Sequence, residues 1–109
     1  GHVEVVRVLH ELGANVDTPD KDGATPVHIA AAKGHVEVVR VLHELGARVD
    51  TTNKIGFTPV HIAATMGRVE MLKVLHELGD KVDTPNKNGF TTVHIAAAMG
   101  HVEVLRVLH

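Results

Sequence analysis

A 33-residue unit repeats along this chain, and the repetition constrains the fold more than any other feature. The string GHVEVVRVLHELGA begins at residue 1 and returns at residue 34, GRVEMLKVLHELGD begins at residue 67, and GHVEVLRVLH begins at residue 100. Among the three complete copies, 20 of the 33 positions are identical. A unit this short cannot bury its own apolar face, so neighbouring units must stack. We therefore expect residues 1–109 to form one array that ends in a partial unit.

Each unit is predicted to contain one long and one short helix. In the second unit, apolar residues recur at helical spacing, and Glu37, Arg40 and Glu44 share the opposite face. Gly46 follows at the position where a left-handed residue commonly ends a helix. After a turn, Thr58 and Pro59 begin an alanine-rich helix, because threonine caps helix N-termini and proline fits the first helical position. The pattern predicts an all-α solenoid of stacked helix–turn–helix units.

These residues resemble the ankyrin repeat family over the whole chain. The family signature T-P-L-H-x-A is matched by TPVHIA at residues 25–30 and 58–63 and by TTVHIA at residues 91–96, and the family's G-H-x-E-V-V-x-x-L is matched from residue 34. The resemblance implies β-hairpin-like loops that project to one side and short helices that line a concave face. Thr92 departs from the signature proline, so we expect that helix to start less rigidly. Valine also replaces the signature leucine at Val27, Val60 and Val93. This replacement only reduces the volume of the core side chains.

Composition and motifs argue against catalysis, cofactor binding and nucleic-acid binding. Eleven Lys and Arg against thirteen Asp and Glu give a net charge of −2, without the basic excess of a nucleic-acid binder. The chain lacks cysteine and serine, has no phosphate-binding glycine loop, and places Ala47 where an H-E-x-x-H motif starting at His43 needs histidine. No apolar run approaches the ~18 residues of a membrane span. We expect no enzyme activity, cofactor, metal or membrane span, and we favour the cytoplasm as the compartment.

Ten histidines fall into three sets of equivalent positions. The resemblance implies a structural, hydrogen-bonding role for the signature set His28, His61 and His94, with metal binding as the alternative. A second set opens the long helices, and because Arg68 replaces histidine in one copy we expect a surface role for His2, His35 and His101. The third set lies at the edge of the apolar arc, and stacked helices ~8–10 Å apart would separate its members too far to share one zinc ion: His10, His43, His76 and His109.

Differences between the copies predict where a partner binds. The long helices vary conservatively, whereas the loop tips and short helices vary in kind, as expected of variable binding positions on a repeat framework. The predicted partner-binding residues are Lys54, Ile55, Phe57, Thr65, Met66, Lys87, Asn88, Phe90 and Met99. We expect the apolar members to lie exposed on one side of the solenoid. For Phe57 and Phe90, packing against the adjacent hairpin and short helix is the alternative to partner contact.

Two functions fit this pattern. The first is a protein–protein interaction module that binds a folded partner through its concave face and hairpin tips, which the apolar tip residues favour. The alternative is a structural spacer or scaffold segment within a long array, which the near-identical copies favour. We also expect the chain to be an excerpt of a longer array. Its uncapped terminal faces would then be covered by further repeats, by a partner, or by end-to-end stacking on another copy.

Overall fold

The computed structural model describes residues 2–80, 85, 89 and 91–108. All regular secondary structure in these residues is helical. In chain order the helices are α1 (His2–Glu11), α2 (Pro26–Lys33), α3 (Val36–Glu44), α4 (Pro59–Thr65), α5 (Val69–Glu77), α6 (Thr92–Met99) and α7 (Val102–Leu108). The expectation of an all-α chain with alternating long and short helices is confirmed.

The helices stack in two parallel rows. The long helices α1, α3, α5 and α7 contact one another in succession, and the short helices α2, α4 and α6 form the second row. Each short helix also packs against the long helix that follows it along the chain and opens the next unit. The stack measures 42 × 24 × 19 Å. This is the predicted solenoid, in which the interior helices are covered by neighbours on both sides.

The short helices begin and end where the local sequence predicted. The Thr25 and Thr58 hydroxyls accept hydrogen bonds from the backbone N–H groups of His28 and His61, and proline occupies the first turn of both helices. α2 ends at Gly34, whose φ of +75° lies in the left-handed region that favours glycine. Caps of this kind satisfy backbone groups that a helix end leaves open. They give these two-turn helices defined ends.

Stacking, and not the local sequence, buries the core. Residues 1–14 and 34–47 are identical, yet Leu9 in α1 is 50% exposed whereas its equivalent Leu42 in α3 is 2% exposed. α3 contacts long helices on both sides, whereas among the described helices α1 packs against a long helix, α3, on one side. The same comparison holds for Val8, which is exposed, and Val41, which is buried. Burial in this chain is therefore a property of the array.

Both ends of the described stack carry exposed apolar side chains. At the amino-terminal end they are Val5, Val8, Leu9 and Leu12, and at the opposite end they are Val93 and Val102. The interior equivalents of Val93, namely Val27 and Val60, are fully buried. We predict that further repeats, a partner or another copy cover these faces, and this stays a prediction.

Polar contacts between units set the register of the stack. Arg7 Nη2 lies 3.3 Å from Glu44 Oε2, and the equivalent atoms of Arg40 and Glu77 lie 3.6 Å apart. At the loop tips, the Lys54 N–H donates to the Asp22 carbonyl at 3.1 Å. Exposed ion pairs contribute only about 0–1 kcal/mol each, so these contacts specify alignment more than they stabilise.

A buried carboxylate supports the start of α4. Asp80 occupies a position that is alanine in the other two complete units, and its Oδ2 accepts a 2.9 Å hydrogen bond from the Val60 N–H. Val60 lies in the first turn of α4, where a helix leaves backbone donors unpaired and where negative charge is favourable. The departure from alanine therefore has a structural reason, since Asp80 links the segment after α5 in the third unit to the short helix α4 of the second unit.

Replacing Thr92 by proline should stabilise the fold. Thr92 is buried at the first position of α6, and its hydroxyl has no hydrogen-bond partner among the described residues. Thr91 is extended, with φ −84° and ψ 174°, as a residue before proline must be. We expect Thr92→Pro to raise the free energy of unfolding by about 0.5–1 kcal/mol, because proline restricts the unfolded chain and the unpaired hydroxyl is removed. Urea unfolding measures the change.

The neighbouring substitution Val93→Pro is the control. It places proline one residue further into α6 and should give no such gain. An unfolding free energy of Thr92→Pro equal to or below that of the unchanged chain would contradict the prediction.

Candidate protein-binding surface

The second loop tip is a rigid turn built around Asn53. Its side-chain Oδ1 accepts hydrogen bonds from the Ile55 N–H at 3.1 Å and the Phe57 N–H at 3.0 Å. Its backbone N–H donates to the Phe57 carbonyl at 2.9 Å, and Gly56 takes a φ of +81° that favours glycine. Ile55, at the apex, is 58% exposed. The turn, which the Asn53 side chain holds in place, therefore presents an apolar side chain to solvent.

The first tip uses the same turn with a different apical residue. Asp20 Oδ1 accepts from the Asp22 N–H at 2.9 Å and the Ala24 N–H at 3.0 Å, as Asn53 does in the next unit. Asp22 is exposed, as Ile55 is. The turn geometry is therefore constant while its apex changes from a carboxylate to a branched alkyl group. Such variation on a constant backbone is what a recognition surface on a repeat array requires.

Two methionines extend this exposed apolar set along the short helices. Met66 and Met99 are both exposed, and they are equivalent residues at the carboxyl ends of α4 and α6. The helices α4 and α6 pack against each other in the row, so the two residues occupy equivalent places in adjacent short helices. Unbranched thioethers adapt to irregular surfaces. The equivalent residue of the first unit, Lys33, is exposed and charged.

Phe57 contributes to packing. It is half-buried against the core, with its ring centroid 5.5 Å from that of His61 and the ring planes inclined by 33°. This contact supports the packing alternative for the buried part of the ring, and partner contact by the rest stays a prediction. Thr65 is also half-buried, and its hydroxyl donates to the His61 carbonyl within α4 at 2.9 Å. Lys54 is exposed beside Ile55.

The remaining predicted site residues belong to the third tip. Lys87, Asn88 and Phe90 lie outside the described residues. Their roles therefore stay predictions from the sequence.

The residues that open the long helices make contacts that the sequence did not predict. Arg68 Nε donates to the Ala32 carbonyl at 3.3 Å, and His101 Nε2 donates to the Thr65 carbonyl at 2.9 Å. Arg68 follows α4 along the chain and reaches the carboxyl end of α2, and His101 follows α6 and reaches the carboxyl end of α4. Positive groups are favourable at these helix ends. The expected surface role is incomplete, because these residues also join units. One feature of the sequence could have indicated these contacts. Arginine replaces histidine at residue 68, and both side chains are N–H donors.

The rings of the signature histidines form hydrogen bonds with backbone groups, and one of these bonds connects two units. The Thr25 N–H donates to His28 Nδ1 at 3.1 Å, so Nδ1 is the acceptor and the neutral ring carries its proton on Nε2. That Nε2 donates to the Phe57 carbonyl of the next unit at 2.9 Å. In the following unit, the Thr58 N–H makes the same bond to His61 Nδ1 at 2.9 Å. The structural role implied by the resemblance is confirmed for His28.

The described part of the chain contains neither a metal-binding cluster nor a membrane-spanning helix. No group of three or more His, Cys, Asp or Glu residues there is arranged to hold a metal ion. None of the described helices is long and apolar enough to cross a bilayer.

Acid should weaken the fold through His28. Burial lowers the pKa of His28 below its usual 6.5, although hydrogen bonds to the Phe57 and Thr51 carbonyls and the nearby Asp20 charge act in the opposite direction. The unfolded chain then binds a proton that the folded chain resists, so stability is lost as the pH falls below about 6.5. We expect the thermal midpoint to fall between pH 7.5 and 5, by about 4–8 °C for each kcal/mol lost.

The matched controls are single histidine substitutions. His28→Gln should lower the midpoint at pH 7.5 and reduce its dependence on pH, whereas His43→Gln, at an exposed position, should leave the midpoint at pH 7.5 nearly unchanged. A midpoint that stays constant from pH 7.5 to 5 in the unchanged chain would rule out this mechanism.

Comparison with known proteins agrees with the geometry. The family model for ankyrin repeats (many copies) matches residues 1–43, 28–76 and 73–109, so its overlapping matches span the chain. No curated protein matches it. Ankyrin repeats are generally protein–protein interaction modules, and the family is typically non-catalytic. With a 33-residue period, paired helices in two rows and a family match along its full length, the chain belongs to the ankyrin repeat family.

Proposed function

We propose that this chain is a protein-binding module that contacts a folded partner through a contact strip formed by Ile55, Met66 and Met99. The observation that carries the proposal is Ile55, an exposed alkyl side chain at the apex of a turn that Asn53 holds in place. A turn fixed before binding loses little conformational freedom when a partner arrives. An apolar group in that position is therefore suited to recognition.

The chemistry of the strip resembles that of an interface core. Methionine and other apolar side chains are common at the centres of interfaces, and polar residues surround them. Here Lys54 stands beside Ile55, and Asp22 and Lys33 replace the apolar positions in the first unit. We include Lys87, Asn88 and Phe90 in the proposed surface as the equivalent tip of the third unit. The partner would then cover the second and third units and leave the first largely uncovered.

The spacer alternative remains a distinct hypothesis with its own support. The units are nearly identical, and their long helices differ by conservative changes only. A spacer would tolerate charge at Ile55 and Met66, because neither side chain is needed to bury the core. A binding module would lose its partner under the same substitutions.

The double substitution Ile55→Lys and Met66→Lys should abolish specific partner capture without unfolding the chain. Both side chains are exposed, so helical content and thermal midpoint should stay nearly unchanged. Immobilised unchanged chain should retain proteins that the double variant does not. With a purified partner, affinity should fall at least tenfold, which corresponds to about 1.4 kcal/mol. Quantitative mass spectrometry and titration calorimetry measure the two outcomes.

The matched control is Val102→Lys. Val102 has the same exposed fraction as Ile55 but lies on α7 in the long-helix row. This variant should retain the partners of the unchanged chain. If the double variant retains every protein that the unchanged chain retains, the contact strip is not the binding surface and the spacer function is favoured.

Phe57 should affect stability first. Because its ring is half-buried against His61 and the core, Phe57→Ala should lower the free energy of unfolding by about 1–3 kcal/mol, less than a fully buried phenylalanine. Phe57→Leu should restore most of this loss by refilling the space. Urea unfolding gives both values. An unchanged stability in Phe57→Ala would show that the ring does not support the fold and would favour partner contact.

A further inference from the structure

The three methionines of this chain fall into two classes of exposure. Met66 and Met99 are 50% and 51% exposed, whereas Met71 in α5 is 1% exposed. The chain contains no cysteine, so these three thioethers hold its only sulfur atoms. An oxidant that acts on sulfur therefore meets two accessible groups, both in the contact strip, and one buried group.

The exposure of Met66 belongs to its place in the unit and does not depend on the ends of the stack. Met66 follows α4, which packs against α2 on one side and α6 on the other. Met99 is the last residue of α6 and has nearly the same exposed fraction. Lys33, the equivalent residue of the first unit, is exposed as well. Three successive units therefore present this position to solvent.

The fold protects the third thioether. Met71 belongs to the hydrophobic core, and its helix α5 packs against α3, α4 and α7. Peroxide reaches this sulfur only when α5 opens from the stack, because buried groups become accessible through local or global unfolding. Met66 and Met99 are accessible in the folded chain. The two classes of methionine should therefore react at different rates as long as the chain is folded.

Oxidation changes the property that suits methionine to an interface. When hydrogen peroxide reacts with a thioether, one peroxide oxygen forms a bond to sulfur, the O–O bond breaks, and the other oxygen leaves as water. Sulfur loses two electrons, and peroxide gains them. The product, methionine sulfoxide, is polar and chiral where the thioether was apolar. Burying its oxygen against an apolar partner surface is unfavourable, because that oxygen loses its hydrogen bonds to water.

We propose that Met66 and Met99 are a site of reversible oxidation by peroxide, which makes the contact strip polar while the fold stays intact. The regulatory consequence rests on the proposed function. Oxidised free chain does not bind its partner, and a partner already seated on the strip shields both thioethers from peroxide. Sulfoxide reductases reverse the step, one enzyme for each sulfoxide epimer. The oxygen then leaves as water, and two thiols of the reductant are oxidised to a disulfide.

The first test uses the chain alone with hydrogen peroxide as the probe. Trypsin places the three methionines in separate peptides, residues 55–68, 69–73 and 88–106, so mass spectrometry can follow each gain of one oxygen. In the folded chain, Met66 and Met99 should react at least about tenfold faster than Met71, and in urea the three rates should agree within about twofold. Circular dichroism should show unchanged helical content after two oxygens are added.

Retention on a phenyl column under native conditions measures the apolar character of the strip. The oxidised chain should elute earlier than the unchanged chain, as the double variant Met66→Gln and Met99→Gln should. Both reductases with dithiothreitol should restore the original retention. Met66→Leu with Met99→Leu keeps the strip apolar without its sulfur, so peroxide should not change its retention. Met71→Leu, the matched control, should respond to peroxide as the unchanged chain does.

The partner purified in the capture experiment tests the regulatory consequence. Oxidation of the unchanged chain should lower its affinity for that partner at least tenfold, and the reductases should restore it. The affinity of Met66→Leu with Met99→Leu should agree within twofold before and after peroxide. If oxidation leaves the affinity unchanged while Ile55→Lys with Met66→Lys abolishes binding, this inference fails and the proposed function stands. If that lysine variant retains every partner, the proposed function fails, and the mapping and retention measurements still decide whether the oxidation site exists.

Three results would overturn the oxidation site itself. The first is a folded chain in which Met71 gains oxygen as fast as Met66 and Met99. The second is loss of helical content when the first two oxygens are added, which would make the oxidation a form of damage. The third is a retention that peroxide does not change, or that the reductases do not restore.

Discussion

The burial of helix faces between neighbouring units is the interaction on which the rest of this structure depends. Leu9 and Leu42 lie in identical 14-residue strings, yet only Leu42, with a long helix on each side, is fully removed from water. At about 25 cal/mol per Å² of buried apolar surface, such side chains gain their stabilisation from the next unit and not from their own. Each unit is thus both part of the core and the cover of its neighbours, which is why a nearly constant sequence suffices.

This mode of burial leaves the loop tips and the carboxyl ends of the short helices free to differ. The turn around Asp20 and the turn around Asn53 use the same hydrogen bonds, so the apical residue can change from Asp22 to Ile55 without altering the backbone. Under the proposed function, stability and recognition depend on different residues. Phe57 is the exception, since it packs against His61 while lying beside the proposed contact strip.

Polar groups between units complement the apolar stacking and make it directional. His28 joins its own turn to the Phe57 carbonyl of the next unit, and His101 joins the start of α7 to the end of α4. These bonds align each unit with the one before it, and the neutral ring required at His28 makes the alignment sensitive to acid.

The sequence by itself determined the repeat, the helices and their ends, because helix periodicity, threonine caps and glycine stops act through residues at most a few positions apart. It also identified Ile55, Met66 and Met99 as variable positions, because equivalent units can be compared within one chain. It could not determine which side chains are buried, or which partners the polar groups find. His28 meets Phe57 at a separation of 29 residues, His101 meets Thr65 at 36, and Asp80 meets Val60 at 20. Only the stacking of units decides such contacts, because it brings together residues that no local interaction connects.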